Sequence, residues 1–299
     1  MRLLYLFVFS ISLFGGQWVY GAACCGSGFA APAIISGDEK ALFSTSYAVT
    51  EVVIDNVDSD GIWSDQGDGQ RLQTLSLEGA HIFNDRWQVG GSTQVLQRTH
   101  QGEESSGLGD TKFTLGYEYL TDWDYHPIRP RGTGYFTLTA PTGRSRAESE
   151  LGGLDSRGNG FWALGLGTML SKSVIPWDIY LNFEVHKSFA KTVNNTQVDG
   201  EIRPGWGGSF SGGAGYNFDK YRVGGSISWN YEDAISIAGS TEYEGAVERY
   251  ATGTLSASYD MENDWSSSLS YSDQTLFGSP VNTSLGRTLS FQLQKRWAR

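Results

Sequence analysis

The stretch Tyr221-Arg222-Val223-Gly224-Gly225-Ser226-Ile227-Ser228-Trp229-Asn230-Tyr231-Glu232 decides how this chain is read. Val223, Gly225, Ile227, Trp229 and Tyr231 alternate with Arg222, Gly224, Ser226, Ser228 and Asn230. A period of two sends the first set to one face of a strand and the second to the other. One face is apolar and ends in two aromatic rings, while the other is small and polar. The pattern recurs. Trp87, Val89 and Val95 alternate with Gln88, Ser92 and Gln94, and Phe113, Leu115, Tyr117 and Tyr119 with Lys112, Thr114 and Glu118. Ile179, Leu181, Phe183 and Val185 alternate with Tyr180, Asn182, Glu184 and His186, and Leu289, Phe291 and Leu293 with Ser290, Gln292 and Gln294.

These segments run about 10–13 residues, which suits a tilted transmembrane strand and exceeds the ~5–6 of soluble sheets. Rings close the apolar face at Trp87, Tyr117, Tyr119, Trp162, Tyr216 and Phe218, and again at Trp229, Tyr231, Trp265 and Trp297. Amphipathic rings at strand ends fit two headgroup interfaces. In hydrocarbon every backbone group must be paired, so such strands must close on themselves. The expectation is an all-β fold, a transmembrane antiparallel up-and-down β-barrel of about twelve strands.

Strands are expected near 40–50, 70–83, 86–99, 110–120, 132–141 and 160–171. Six more follow near 178–190, 208–218, 221–232, 249–261, 265–275 and 285–297. Such boundaries shift by roughly 2–4 residues, so ten or fourteen strands also fit. Asn84-Asp85, Asp219-Lys220 and Glu262-Asn263-Asp264 read as tight turns. Segments 51–69, 100–109, 142–159, 191–207, 233–248 and 276–284 read as long loops. Short turns on one side and long loops on the other is the outer-membrane arrangement, with the short side periplasmic. Segment 121–131 is long for a periplasmic turn.

Composition agrees with a membrane barrel. Of 299 residues 39 are Gly and only 7 Pro, 40 are aromatic, and charged residues make up 18%, below the ~25% usual in soluble domains. Mean hydropathy is −0.31, which does not exclude a barrel, since only alternate residues face lipid. The net charge of −11 argues against nucleic-acid binding. Segments 51–68 and 232–248 carry carboxylates with no Lys or Arg, which reads as solvated loop, with divalent-cation binding as the sharper alternative.

Arg2, an apolar run from Leu3 to Phe14, and Gly21-Ala22-Ala23 describe a secretory signal peptide over 1–23. Adjacent Cys24 and Cys25 leave three states open: free thiols, a strained vicinal disulfide, or lipidation of Cys24. Segment 24–39 shows no period and reads as a periplasmic lead or a lumenal plug ahead of a barrel over 40–299.

Gly107-Leu108-Gly109-Asp110-Thr111-Lys112-Phe113, with Ala140-Pro141-Thr142-Gly143-Arg144, resembles barrels described as transporters of the MetA pathway of phenol degradation. These are similar in outline to long-chain fatty-acid and aromatic-hydrocarbon channels. The resemblance covers about residues 70–299 and implies a channel for small solutes, apolar or aromatic ones among them. It carries over no binding residue. Gly109-Asp110 also has a plain structural reading, because Gly tolerates positive φ and Asp stabilises turns.

Glu184, His186 and Ser188 share one strand face, and His-x-Ser resembles outer-membrane phospholipase A. That enzyme's site faces lipid, whereas here Leu181, Phe183 and Val185 take the lipid side and the three polar residues the lumen. A polar lining is expected rather than an enzyme. By parity Lys112, Glu118, Glu184, His186, Arg222 and Glu232 line the lumen and are the candidates for selectivity. The sequence implies no cofactor and no metal set. The expected partners are membrane lipids, a small-molecule solute and the outer-membrane assembly machinery. The reading is an outer-membrane channel or transporter, with a non-conducting binding or structural barrel as alternative and a hydrolase less favoured.

Overall fold

A computed structural model describes residues 32–299, apart from 66, 68, 124, 125, 196, 197 and 241. The signal-peptide segment and Cys24–Cys25 lie outside the described residues. Among the described residues no helix is long and apolar enough to cross a membrane; the strands do that work.

They form one closed barrel of twelve antiparallel strands. In chain order these are β1 (Glu39–Val57), β2 (Arg71–Asn84), β3 (Trp87–His100), β4 (Thr111–Leu120), β5 (Arg131–Ala140) and β6 (Ala163–Val174). Then come β7 (Trp177–Ser188), β8 (Trp206–Phe218), β9 (Tyr221–Glu232), β10 (Glu248–Asp260), β11 (Trp265–Asp273) and β12 (Thr283–Ala298). Each strand pairs with its sequence neighbour, and β12 returns to β1 from Glu39↔Ala298 to Val57↔Thr283. Closure removes both sheet edges, as hydrocarbon requires.

The turns follow from residue chemistry. Asp219 between β8 and β9, and Asn263 and Asp264 between β10 and β11, sit at φ of +53°, +57° and +58°. Asn and Asp tolerate this left-handed region better than other side chains. The outer face is the apolar set of the sequence pattern: Leu75, Phe113, Phe136, Leu181, Ile227 and Leu289 are all exposed on it. At the short-turn end, rings link into an arc. Trp177 meets Tyr216 at 5.0 Å between centroids, and Phe218 meets Tyr221 at 5.7 Å, which in turn meets Tyr259 at 5.0 Å. This is an aromatic girdle at an interface.

Two expectations change. Segment 100–109 is a hairpin rather than a loop. Gln101 and Gly102, both at positive φ, make a two-residue turn, and Glu103–Leu108 runs back along β3 from His100↔Glu103 to Val95↔Leu108. Its Ser105-Ser106-Gly107 core lacks the apolar face by which a spanning strand is recognised. Gly109 then forms a bulge, its N–H donating to the Gln94 carbonyl at 2.8 Å, before β4 resumes the pairing at Ser92↔Lys112. Second, segments 191–207 and 233–248 carry a separate four-stranded sheet: Lys191–Asn194, Asp199–Arg203, Ser236–Gly239 and Tyr243–Glu244. Phe161, Val193 and Ile202 pack there with Ala147 and Ile237, so these loops share a small apolar core. The 121–130 connection is long, as expected, and is braced, with Lys172 Nζ 2.8 Å from Asp122 and the Arg86 guanidinium over the Trp123 ring.

Candidate functional site: a lumen with one packed and one open wall

All six residues expected in the lumen lie on the inward faces of their strands. Four of them pair with one another, while Glu118 pairs with Arg131 and Arg222 with Asp178. Lys112 Nζ on β4 meets Glu184 Oε1 on β7 at 3.2 Å, across the two strands between them. His186 Nε2 on β7 lies 3.0 Å from Glu232 Oε1 on β9, passing over Gly207 of β8, where any side chain would collide with both groups. Arg222 on β9 donates from Nε and Nη2 to Asp178 of β7 at 2.8 and 2.6 Å, over Gly215. Glu118 accepts from Arg131 Nε at 2.7 Å. Charges taken out of water need such partners to offset desolvation.

Other residues complete the packing and were not singled out by parity. Among the described residues Tyr135 on β5 is the largest fully buried side chain, 1% exposed. Its hydroxyl donates to Asn182 Oδ1 of β7 at 2.8 Å, and its ring lies over Gly167 of β6. Thr137 lies likewise over Gly165. The signal was present in the sequence: glycines at alternate inward positions of β6 mark where a neighbour's side chain crosses the strand.

The result is an asymmetric lumen. On β4 to β7 the inward side chains Lys112, Thr114, Thr133, Tyr135, Asn182 and Glu184 are all buried. On the opposite wall, β10 to β1, the inward residues Thr254, Ser256, Ser268, Ser270, Ser290 and Ser46 are half-exposed. Their hydroxyls bond along the wall, Thr254 to Ser272 at 2.8 Å and Ser270 to Ser290 at 2.6 Å. One side of the lumen is filled by side chains; the other is accessible and hydroxyl-lined.

Residues 32–38 lie against the inner wall at the short-turn end. Ile35 N–H donates to Gln88 Oε1 at 2.7 Å, and Gln88 Nε2 donates back to the Ile35 carbonyl at 3.3 Å. Ala33 and Ile35 pack on inward Ala80 and Ile82. Arg131 Nη1 donates to the carbonyls of Ser36 and Gly37 at 3.1 and 2.6 Å, and Nη2 to Asp38 at 3.0 Å.

At the long-loop end, segment 141–162 is tied to the barrel rim. Asp110, on the bulge between β3 and β4, accepts N–H bonds from Gly143 at 3.0 Å, Asn159 at 2.7 Å and Gly160 at 3.3 Å. Thr142 Oγ1 donates to the Gly109 carbonyl at 2.6 Å. Burial pushes the Asp110 carboxyl up from its ordinary range, more than these bonds pull it down. Within the loop, burial works to raise Asp155. The Ser149 hydroxyl, Arg144 at 2.6 Å and the backbone N–H groups of Glu150 and Leu151 outweigh it and hold the carboxyl well below the usual carboxylate range.

Of Glu184, His186 and Ser188, Glu184 is held by Lys112 and His186 by Glu232, and all three are buried.

No family model matches the chain. Among solved structures, the COG4313 outer membrane channel from Pseudomonas putida F1 superposes with a TM-score of 0.70 at 12% identity, over 91% of this chain and 100% of that one. The NanC porin gives 0.47 at 8% identity, over 84% of this chain and 98% of its own. The TodX deltaS2S3 mutant monoaromatic hydrocarbon channel gives 0.45 at 11%, over 90% of this chain and 93% of its own. The first likeness carries the fold, and with the apolar outer belt and aromatic girdle it makes the chain a closed β-barrel of the Gram-negative outer membrane.

Proposed function

We propose that this barrel is a passive channel for small solutes. The observation that carries the reading is the accessible, hydroxyl-lined wall facing a packed one: a purely structural barrel has no need of an accessible polar inner wall. The twelve-strand ring is wider than the eight-strand case that side chains alone can fill. Ser, Thr and Gln on the open wall suit small hydrogen-bonding solutes better than the apolar or aromatic ones implied by the resemblance. The inward residues Lys112, Glu118, Glu184, His186, Arg222 and Glu232 act mainly by pairing with neighbours, and so shape the pore more than they charge it. The segment 32–38 narrows the short-turn mouth as a lumenal strap. Membrane lipids cover the outer belt, and the assembly machinery of the outer membrane inserts it.

Planar-bilayer recording of the purified barrel tests the proposal. Discrete conductance steps, with liposome swelling in small sugars, support it; a folded and silent barrel that binds solutes only through its acidic loops points to the alternative of a non-conducting binding barrel.

A further inference from the structure

We infer that the packed wall is the channel's size filter, with Tyr135 and the Lys112–Glu184 pair as its determining residues. The inference rests on the conducting reading above. The Lys112–Glu184 pair joins strands three apart in a ring of twelve, a quarter of the circumference, so it forms a chord that cuts a segment off the lumen. Behind that chord the inward side chains Thr133, Tyr135, Thr137 and Asn182 are buried. Tyr135 and Thr137 lie over Gly167 and Gly165, and the Tyr135 hydroxyl donates to Asn182. No solute passes there. The path that remains lies in front of the chord, along Thr254, Ser256, Ser270 and Ser290, where the inward side chains are small and accessible.

The pore is therefore eccentric, and its two walls have different duties. Serine hydroxyls offer hydrogen bonds to a passing solute, and the ridge sets how large that solute can be. Both charges of the chord are satisfied by one another and buried at 10% and 3% side-chain exposure. The ridge thus filters by bulk rather than by charge. The six residues expected from parity could not reveal this, because the dominant filler is Tyr135, an uncharged ring.

Single-channel recording with swelling assays in sugars of graded size tests this, fold being checked by heat-modifiable gel mobility. Tyr135→Ala empties the ridge and is expected to raise conductance roughly twofold and to admit larger sugars. Tyr135→Phe keeps the ring and is expected to leave the wild-type cutoff in place. Should Tyr135→Ala fail to fold, Ser270→Trp on the open wall tests the same geometry, with a several-fold fall in conductance expected. A conducting wild type whose conductance and cutoff survive Tyr135→Ala, or Ser270→Trp, overturns this inference alone. A folded wild type that never conducts overturns the channel reading with it.

Discussion

Asp110 and Gly143 are joined by a 3.0 Å hydrogen bond from the Gly143 N–H to the Asp110 carboxylate. The bond connects the two motifs on which the family resemblance was read, one at the bulge before β4 and one just after β5. The motifs are therefore halves of one joint that fastens the 141–162 loop to the barrel rim.

Removing the carboxylate tests that joint. Asp110→Ala leaves three backbone N–H groups without an acceptor, each costing about 1–3 kcal/mol where it stays buried. The loop should detach while the barrel persists. Hydrogen exchange at Gly143, Asn159 and Gly160 should rise sharply with no change in β7 to β12, and Asp110→Asn should show a smaller effect. Equal loosening throughout the barrel would contradict a local anchoring role.

Acid should release the same loop by another route. The Asp155 carboxyl is held below its ordinary value of ~3.9. Its contribution is thus present above that value and is lost as pH falls through the depressed folded-state value. Pepsin, which works in acid, should begin to nick 141–162 only well below pH ~4 in the wild type. Asp155→Asn should be nicked already at that pH; resistance equal to wild type would rule out the Asp155 network as the lock.

The strap at the short-turn mouth has its own test. A side chain at Gly90 would occupy the place of the Ala33 carbonyl. Gly90→Val should expel residues 33–35 from the wall, as should Arg131→Met by removing the bonds to Ser36, Gly37 and Asp38. Protease access to residues 32–38 and mean conductance should both increase. An unchanged conductance with the segment demonstrably released would show that it does not narrow the pore.

Charge at the outer mouth predicts ion preference. Segment 58–70 carries Asp58, Asp60, Asp65 and Asp68, and segment 233–247 carries Asp233, Glu242 and Glu244, with no Lys or Arg in either. Their field enriches cations at the long-loop end. Reversal potentials in a KCl gradient should show cation preference in dilute salt. The preference should fade near 1 M, where screening acts within about 3 Å. Anion preference would exclude this contribution.

Much of the barrel was legible because lipid imposes a rule on every second residue. The span of β9 and the inward aim of Lys112 and Glu184 both follow from period two. What was not legible falls where that rule stops. Glu103–Leu108 has no lipid-facing set, so its pairing with β3 is invisible to periodicity. The sheet formed by 191–203 and 236–244 joins segments distant in sequence through Phe161, Val193 and Ile202. The partner of Lys112 depends on how far strands stagger around the ring, a quantity of the closed barrel. Arg131, which looked like the tail of a turn, takes its importance from residues that fold back on it from the N-terminus.

The chord between Lys112 and Glu184 also has a mechanical consequence. A thin-walled cylinder flattens most easily where nothing spans its interior. Cross-bracing over β4 to β7, continued by His186–Glu232 and Arg222–Asp178 to β9, stiffens one arc and leaves the serine-lined arc to flex. Lateral pressure from a thicker or more ordered bilayer should therefore deform the serine-lined side first.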